Sequence, residues 1–87
     1  MTLKIETASD GRTTTLRLIG RIEAAHLAEL QTQARRHRPR LVLDLDDVTL
    51  VDVAVVRFLI VCEAEGIELR HCPPYIREWM DRERSRE

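Results

Sequence analysis

Four aspartates, Asp44, Asp46, Asp47 and Asp52, fall close together beside an apolar run, and they are the residues best placed to do chemistry. An Asp-x-Asp pair at the end of a strand can offer one carboxylate as a nucleophile and the other to handle a proton beside Mg²⁺. The same oxygens could hold a hard divalent cation or a small phosphorylated ligand or nucleotide carried with it. A second set of reactive groups is Cys62 with His71-Cys72, and His26 and His37 stand further upstream.

Each of these chemistries lacks a component. The string Asp44-Leu45-Asp46-Asp47-Val48 matches the Asp-x-Asp-x-Val pattern of haloacid-dehalogenase-type phosphatases. That reaction also needs a later Ser or Thr, a Lys and a second acidic pair, and Lys4 is the last lysine in the chain. The spacing of the aspartates does not follow a calcium loop. The cysteines and His71 lack the paired-ligand spacing of a zinc site, so Cys62 reads as a small core residue and Cys72 as a strand-end thiol. His26 and His37 belong to the polar side or end of a helix, and no serine or cysteine nucleophile has a base placed beside it by spacing. The expectation is a chain without catalytic residues, metal or cofactor, in which the aspartates cap turns and keep the segment soluble.

Composition narrows the field further. The 87 residues are 44% hydrophobic and 33% charged, with a net charge of -1. This is the make-up of one globular domain over residues 1–87, rich in Leu, Val, Ile and Ala. Interleaved charges of both signs provide no basic face for nucleic acid, which binds by displacing counterions from phosphates. No stretch approaches the ~20 apolar residues of a membrane span, and the first residues lack the apolar core of a signal peptide. Two thiols without an export signal imply a reduced, cytoplasmic protein.

The elements that must position the aspartates follow from hydrophobic period. Leu3 and Ile5 alternate with Lys4 and Glu6, and Asp10-Gly11 supplies the turn of a hairpin whose return strand, residues 13–19, turns Leu16 and Leu18 inward. Gly20 is expected to end that strand. From about Glu23 the period changes: Ala24, Leu27, Leu30 and Ala34 mark an amphipathic helix, closed by Arg35, Arg36 and His37 and stopped by Pro39. Residues 41–45 form a buried strand, 46–51 a loop, and Asp52 caps a second helix over 53–65 that ends at Gly66. Residues 67–71 are a fourth strand, Pro73-Pro74 opens a last helix with Ile76, Trp79 and Met80 on one face, and residues 81–87 form a frayed tail. The prediction is an α/β fold: a β-hairpin feeding a short βαβαβα run, a four-stranded mixed sheet with helices packed on it.

This order, together with LRLIGRIEAAHLAEL, LVLDLDDVTLVD leading into a helix, and IELRHCPPYI, resembles the STAS domain of bacterial anti-sigma factor antagonists. In that family the second helix opens on Asp-Ser-Ser-Gly, and a partner kinase phosphorylates the second serine to release the partner. Here the corresponding residues are Asp52-Val53-Ala54-Val55: the Asp is kept, the serines and glycine are replaced, and Arg57 stands where a further glycine falls. Ala54 occupies the phosphorylated position, and no Ser or Thr lies between Asp52 and Cys62, so a phosphate cannot be placed there. Thr49, the nearest hydroxyl, reads as a loop residue.

The resemblance implies a non-enzymatic regulatory module that binds a protein through the 46–58 segment. Its partner would be an anti-sigma kinase-like protein, the ATPase of a lipid transporter, a larger signalling assembly, or a second copy in a homodimer. Projected on a helix, Val55, Val56, Leu59 and Ile60 share the sheet-facing arc. Ala54, Arg57, Val61 and Glu65 share the opposite arc, with Val53 and Phe58 at its margins. An apolar border around Arg57 is suited to docking or to cover by the last helix through Trp79 or Tyr75. The residues expected at an interface are Asp47, Thr49, Asp52, Val53, Ala54, Arg57, Phe58 and Val61.

Overall fold

The computed structural model describes residues 3–37 and 40–86. Strand β1 (Leu3–Ser9) turns into β2 (Thr14–Ile22), and a 3-10 turn (Ala24–His26) leads into helix α1 (Leu27–His37). Strand β3 (Leu41–Val51), helix α2 (Val53–Ala64), strand β4 (Glu68–Arg70) and helix α3 (Pro74–Ser85) complete the chain. Pro39, expected to stop α1, lies outside the described residues. The sheet is mixed, in the order β1-β2-β3-β4, with β1 antiparallel to β2 and the other neighbours parallel.

The hairpin forms where Asp10 and Gly11 were expected to make it. Asp10 Oδ1 accepts hydrogen bonds from the backbone amides of Arg12 (2.9 Å) and Thr13 (2.8 Å). These bonds favour the ionised carboxylate and hold Asp10 below the usual carboxylate range.

One face of the sheet carries the core. Leu16, Leu18 and Ile22 of β2 and Leu43, Leu45 and Val48 of β3 are buried with Leu30 and Ala34 of α1, Val55, Val56 and Leu59 of α2, and Ile76 and Met80 of α3. The other face is a row of charges in register, Glu6, Arg17, Asp44 and Arg70, one from each strand. The domain is thus two layers, helices over a sheet whose second face is open.

Several boundaries differ from the sequence expectation, each for a physical reason. Residues 46–51 are not a loop: β3 runs unbroken to Val51. Arg17 pairs with Asp44 but Ile19 with Asp47, and Gly20 pairs with Val48 but Arg21 with Leu50. At each shift β3 carries one residue more than β2, which is the geometry of a β-bulge. The first bulge turns Val48 inward after Leu45, although strict alternation would have sent Asp47 into the core, and Asp46 N–H donates to Asp44 Oδ1 (3.0 Å) to hold the kink. Gly20, at the second shift, has φ +98°, so β2 bends there and continues to Ile22 instead of ending.

The first helix begins as a 3-10 turn, which leaves Ala24 exposed, and its buried face comprises Leu30 and Ala34. Strand β4 is trimmed to three residues. Helix α2 ends at Gly66 through bonds from Gly66 N–H to Glu63 O (3.1 Å) and Ile67 N–H to Cys62 O (3.0 Å). Helix α3 extends to Ser85, so most of the segment expected to fray is helical, and Glu83 within it is buried.

Candidate functional site

The geometry of the site begins at Asp52, the residue between β3 and α2. Its backbone is extended (φ -109°, ψ 178°) and its Oδ1 accepts the Val55 amide (3.0 Å), the N-cap bond that an aspartate at this position makes. Its Oδ2 accepts the Ala24 amide at 2.8 Å. One carboxylate therefore satisfies orphan donors of two elements and ties the 3-10 turn after β2 to the start of α2. On the 3-10 side, Glu23 N–H donates to His26 Nδ1 (2.9 Å), which fixes the turn and occupies one ring nitrogen of His26.

Beyond this staple α2 presents a nearly apolar ridge. Val55, Val56, Leu59 and Cys62 turn into the core, whereas Val53, Ala54, Arg57 and Val61 fall within an arc of about 100° on the other side. Val53 is 39% exposed and Val61 53%, and Leu50 at the end of β3 is 53% exposed. Helix α3 covers part of this arc and leaves Val53 and Val61 exposed. Helix α3 packs along one margin, where Arg57 Nε donates to the buried Glu83 carboxylate (3.2 Å) and Arg77 donates to Glu63 (2.8 Å). Its Tyr75 bypasses the arc and donates its hydroxyl to the Thr49 carbonyl (2.9 Å) at the end of β3. The rest of the ridge stays open. At the opposite margin Phe58, half-buried, lines a groove of about 280 Å³ with Ala34 and Arg35 of α1.

The remaining aspartates do not converge. Asp47 is ion-paired with Arg17, on the open face of the sheet. Asp44 Oδ1 lies 3.2 Å from His71 Nδ1, and His71 adopts a left-handed backbone (φ +58°) at the end of β4. Burial pushes the Asp44 carboxyl up, but the Asp46 amide, His71 and Arg17 together outweigh it and hold it below its ordinary value. Asp52 is engaged by two amides. Among the described residues no three His, Cys, Asp or Glu side chains are grouped to hold a metal ion. The acidic segment is thus a set of separate pairings that fix a bulged strand and a cap.

Of the expected interface residues, the structure brings Asp52, Val53, Ala54, Arg57 and Val61 together, with Phe58 at the groove and Thr49 under Tyr75; Asp47 is turned to Arg17. Leu50 and Glu83 belong to the same region and were not singled out from sequence, whereas Tyr75, expected as one alternative cover for the arc, instead bonds the Thr49 carbonyl. Glu83 continues the 76, 79, 80 spacing of the buried face of α3, so helical period could have found it. Leu50 was hidden by the expectation of a loop.

The second helix of this two-layer α/β domain opens beside an exposed apolar ridge. A family model described as "Mlab, STAS domain" matches residues 5–82. The chain belongs to the STAS-domain family, and a regulatory or interaction role is the kind of role that family supports. STAS domains are in general non-enzymatic. No curated protein matches the chain. No helix among the described residues is long and apolar enough to cross a membrane.

Proposed function

We propose that this domain binds a protein partner through the ridge at the start of α2, centred on Val53, Ala54, Arg57 and Val61 and extended by Leu50, without a serine phospho-switch. The observation that carries this reading is the exposure of Leu50, Val53 and Val61 around the position where the family's phosphorylated serine is replaced by Ala54. A surface helix ordinarily turns charge outward, and apolar side chains rimmed by polar ones are how binding surfaces are built. Arg57, held by Glu83, supplies the polar mark that orients a partner on an otherwise apolar surface.

The partner kinds implied by the family are an anti-sigma kinase-like protein, the ATPase of a lipid transporter, or a larger signalling assembly, met in the cytoplasm. Binding at Ala54 is constitutive, because no hydroxyl there can be charged by a kinase. The test is capture from the native cell with the wild-type chain beside Val53→Asp, with light scattering for mass. The expected result is partner loss of at least about tenfold, equivalent to about 1.4 kcal/mol. If every captured partner and the mass are unchanged, this surface is not the docking site.

A further inference from the structure

The two edges of the sheet are finished differently. On one side β4 is three residues long, a blunted edge. On the other side β1 pairs with β2 in unbroken register from Leu3 to Ser9, with no bulge and no proline, and stands last in the sheet order. Asp10 N–H bonds to Thr13 O at the turn, so alternation along the antiparallel ladder directs the backbone groups of Lys4, Glu6 and Ala8 toward β2. Those of Leu3, Ile5 and Thr7 therefore point to the free edge. Leu3 and Ile5 are half-buried against the core cluster, so that edge also carries the margin of the apolar layer.

We propose that β1 pairs antiparallel with β1 of a second copy of this chain, about a two-fold axis at Ile5, to make one continuous eight-stranded sheet. The charge pattern of the strand selects that register. With the axis at Ile5, Lys4 faces Glu6 of the second copy and Glu6 faces its Lys4, in the narrow, non-hydrogen-bonded positions where side chains lie closest. Leu3 faces Thr7, and Ile5 faces Ile5, which extends the core face across the junction. Moving the axis to residue 4 sets Lys4 against Lys4, and moving it to residue 6 sets Glu6 against Glu6. Each neighbouring register thus places like charges opposite each other. A single isologous contact of this kind closes on itself and leaves the blunt β4 edges outermost.

This contact is separate from the α2 ridge, and the two can be told apart. Light scattering over a concentration series should show the mass of the full chain rising from 10.1 kDa toward twice that value. Lys4→Glu, on an exposed side chain, should weaken the dimer by about tenfold or more, because two attractive cross-strand pairs become repulsive. The double exchange Lys4→Glu with Glu6→Lys should restore it, a recovery that loss of folding cannot mimic. A chain that stays at 10.1 kDa at every concentration overturns the proposal. So does a dimer that survives Lys4→Glu, or one dispersed by Val53→Asp alone.

Discussion

Removing the Asp52 carboxylate tests the architecture of the site most directly. In Asp52→Ala two bonds disappear, Oδ1 to the Val55 amide (3.0 Å) and Oδ2 to the Ala24 amide (2.8 Å). Loss of an aspartate N-cap costs about 0.5–2 kcal/mol, typically ~1. A hydrogen bond to a charged acceptor contributes about 1.5–3 kcal/mol when buried. Ala24 is exposed and its amide can turn to water, so the second bond is assigned about 0.5–1 kcal/mol, at the neutral end of that scale. The sum is about 1–3 kcal/mol, and about 1.5–2 kcal/mol with the typical cap value, Val55 being the larger share. Asp52→Asn is the discriminating variant. Its amide oxygen can still cap α2, but its NH₂ group meets the Ala24 amide as donor against donor, so it should recover the cap and lose the staple, at about 1 kcal/mol. The assay is equilibrium urea unfolding, read as a shift in midpoint at constant slope. For a domain of this size about 2 kcal/mol corresponds to roughly 8–16 °C in Tm. An Asp52→Ala cost below ~0.5 kcal/mol, or an Asn variant less stable than Ala, would refute the double-cap account.

Two further perturbations probe the packing and the helix margin. Leu45→Ala empties a fully buried site in β3 and should cost about 2–5 kcal/mol in the same urea titration; a surface-like cost would mean that Leu45 is not packed in the core. Glu63 is held below its ordinary value of 4.5 chiefly by the Arg77 bond, which outweighs burial, with Arg84 adding to it. A folded-state pKa depressed in this way contributes stability that is present above about 4.5 and is lost as pH falls from there through the folded value. Glu63→Gln should therefore be less stable than wild type at neutral pH and flatten the loss of stability between that value and more acid pH. Parallel pH–stability curves for the two proteins would exclude the Arg77 pairing as the cause.

What the sequence disclosed and what it withheld divide along one physical line. Element type followed from period: alternation in β1 and β2, three-and-four spacing in α1, and the Asp52 cap with the Gly66 stop bounding α2. These signals are local, and the structure has all of them. The end of β3 was withheld because a β-bulge destroys alternation. Leu43, Leu45 and Val48 face one core at spacings of two and three, which reads as a strand that stops. Gly20 is ambiguous in the sequence for a related reason, since a glycine with φ +98° inside a strand has the same letter as one that ends it. The long-range pairings were equally invisible, because Ala24 and Asp52, or Arg57 and Glu83, are brought together only by the crossovers.

The acidic segment shares the letters of a catalytic motif, and the carboxylates of Asp44 and Asp47 are engaged separately. A phosphatase-type pair needs both carboxylates aimed at one point beyond the strand. Here Asp44, in regular register before the bulge, faces His71, Asp46 is exposed, and Asp47, past the bulge, is paired with Arg17 on the open sheet face. That leaves the strand end to Leu50 and the helix start to Val53 and Ala54. The side chains next to Asp52 are apolar, and within α2 its carboxylate accepts the Val55 amide of the first turn. Asp52 ties the turn after β2 to the start of α2, where the nearly apolar ridge leaves the sheet. Between Asp52 and Cys62 the ridge carries no hydroxyl, so its exposed character rests on Val53, Val61 and the guanidinium of Arg57.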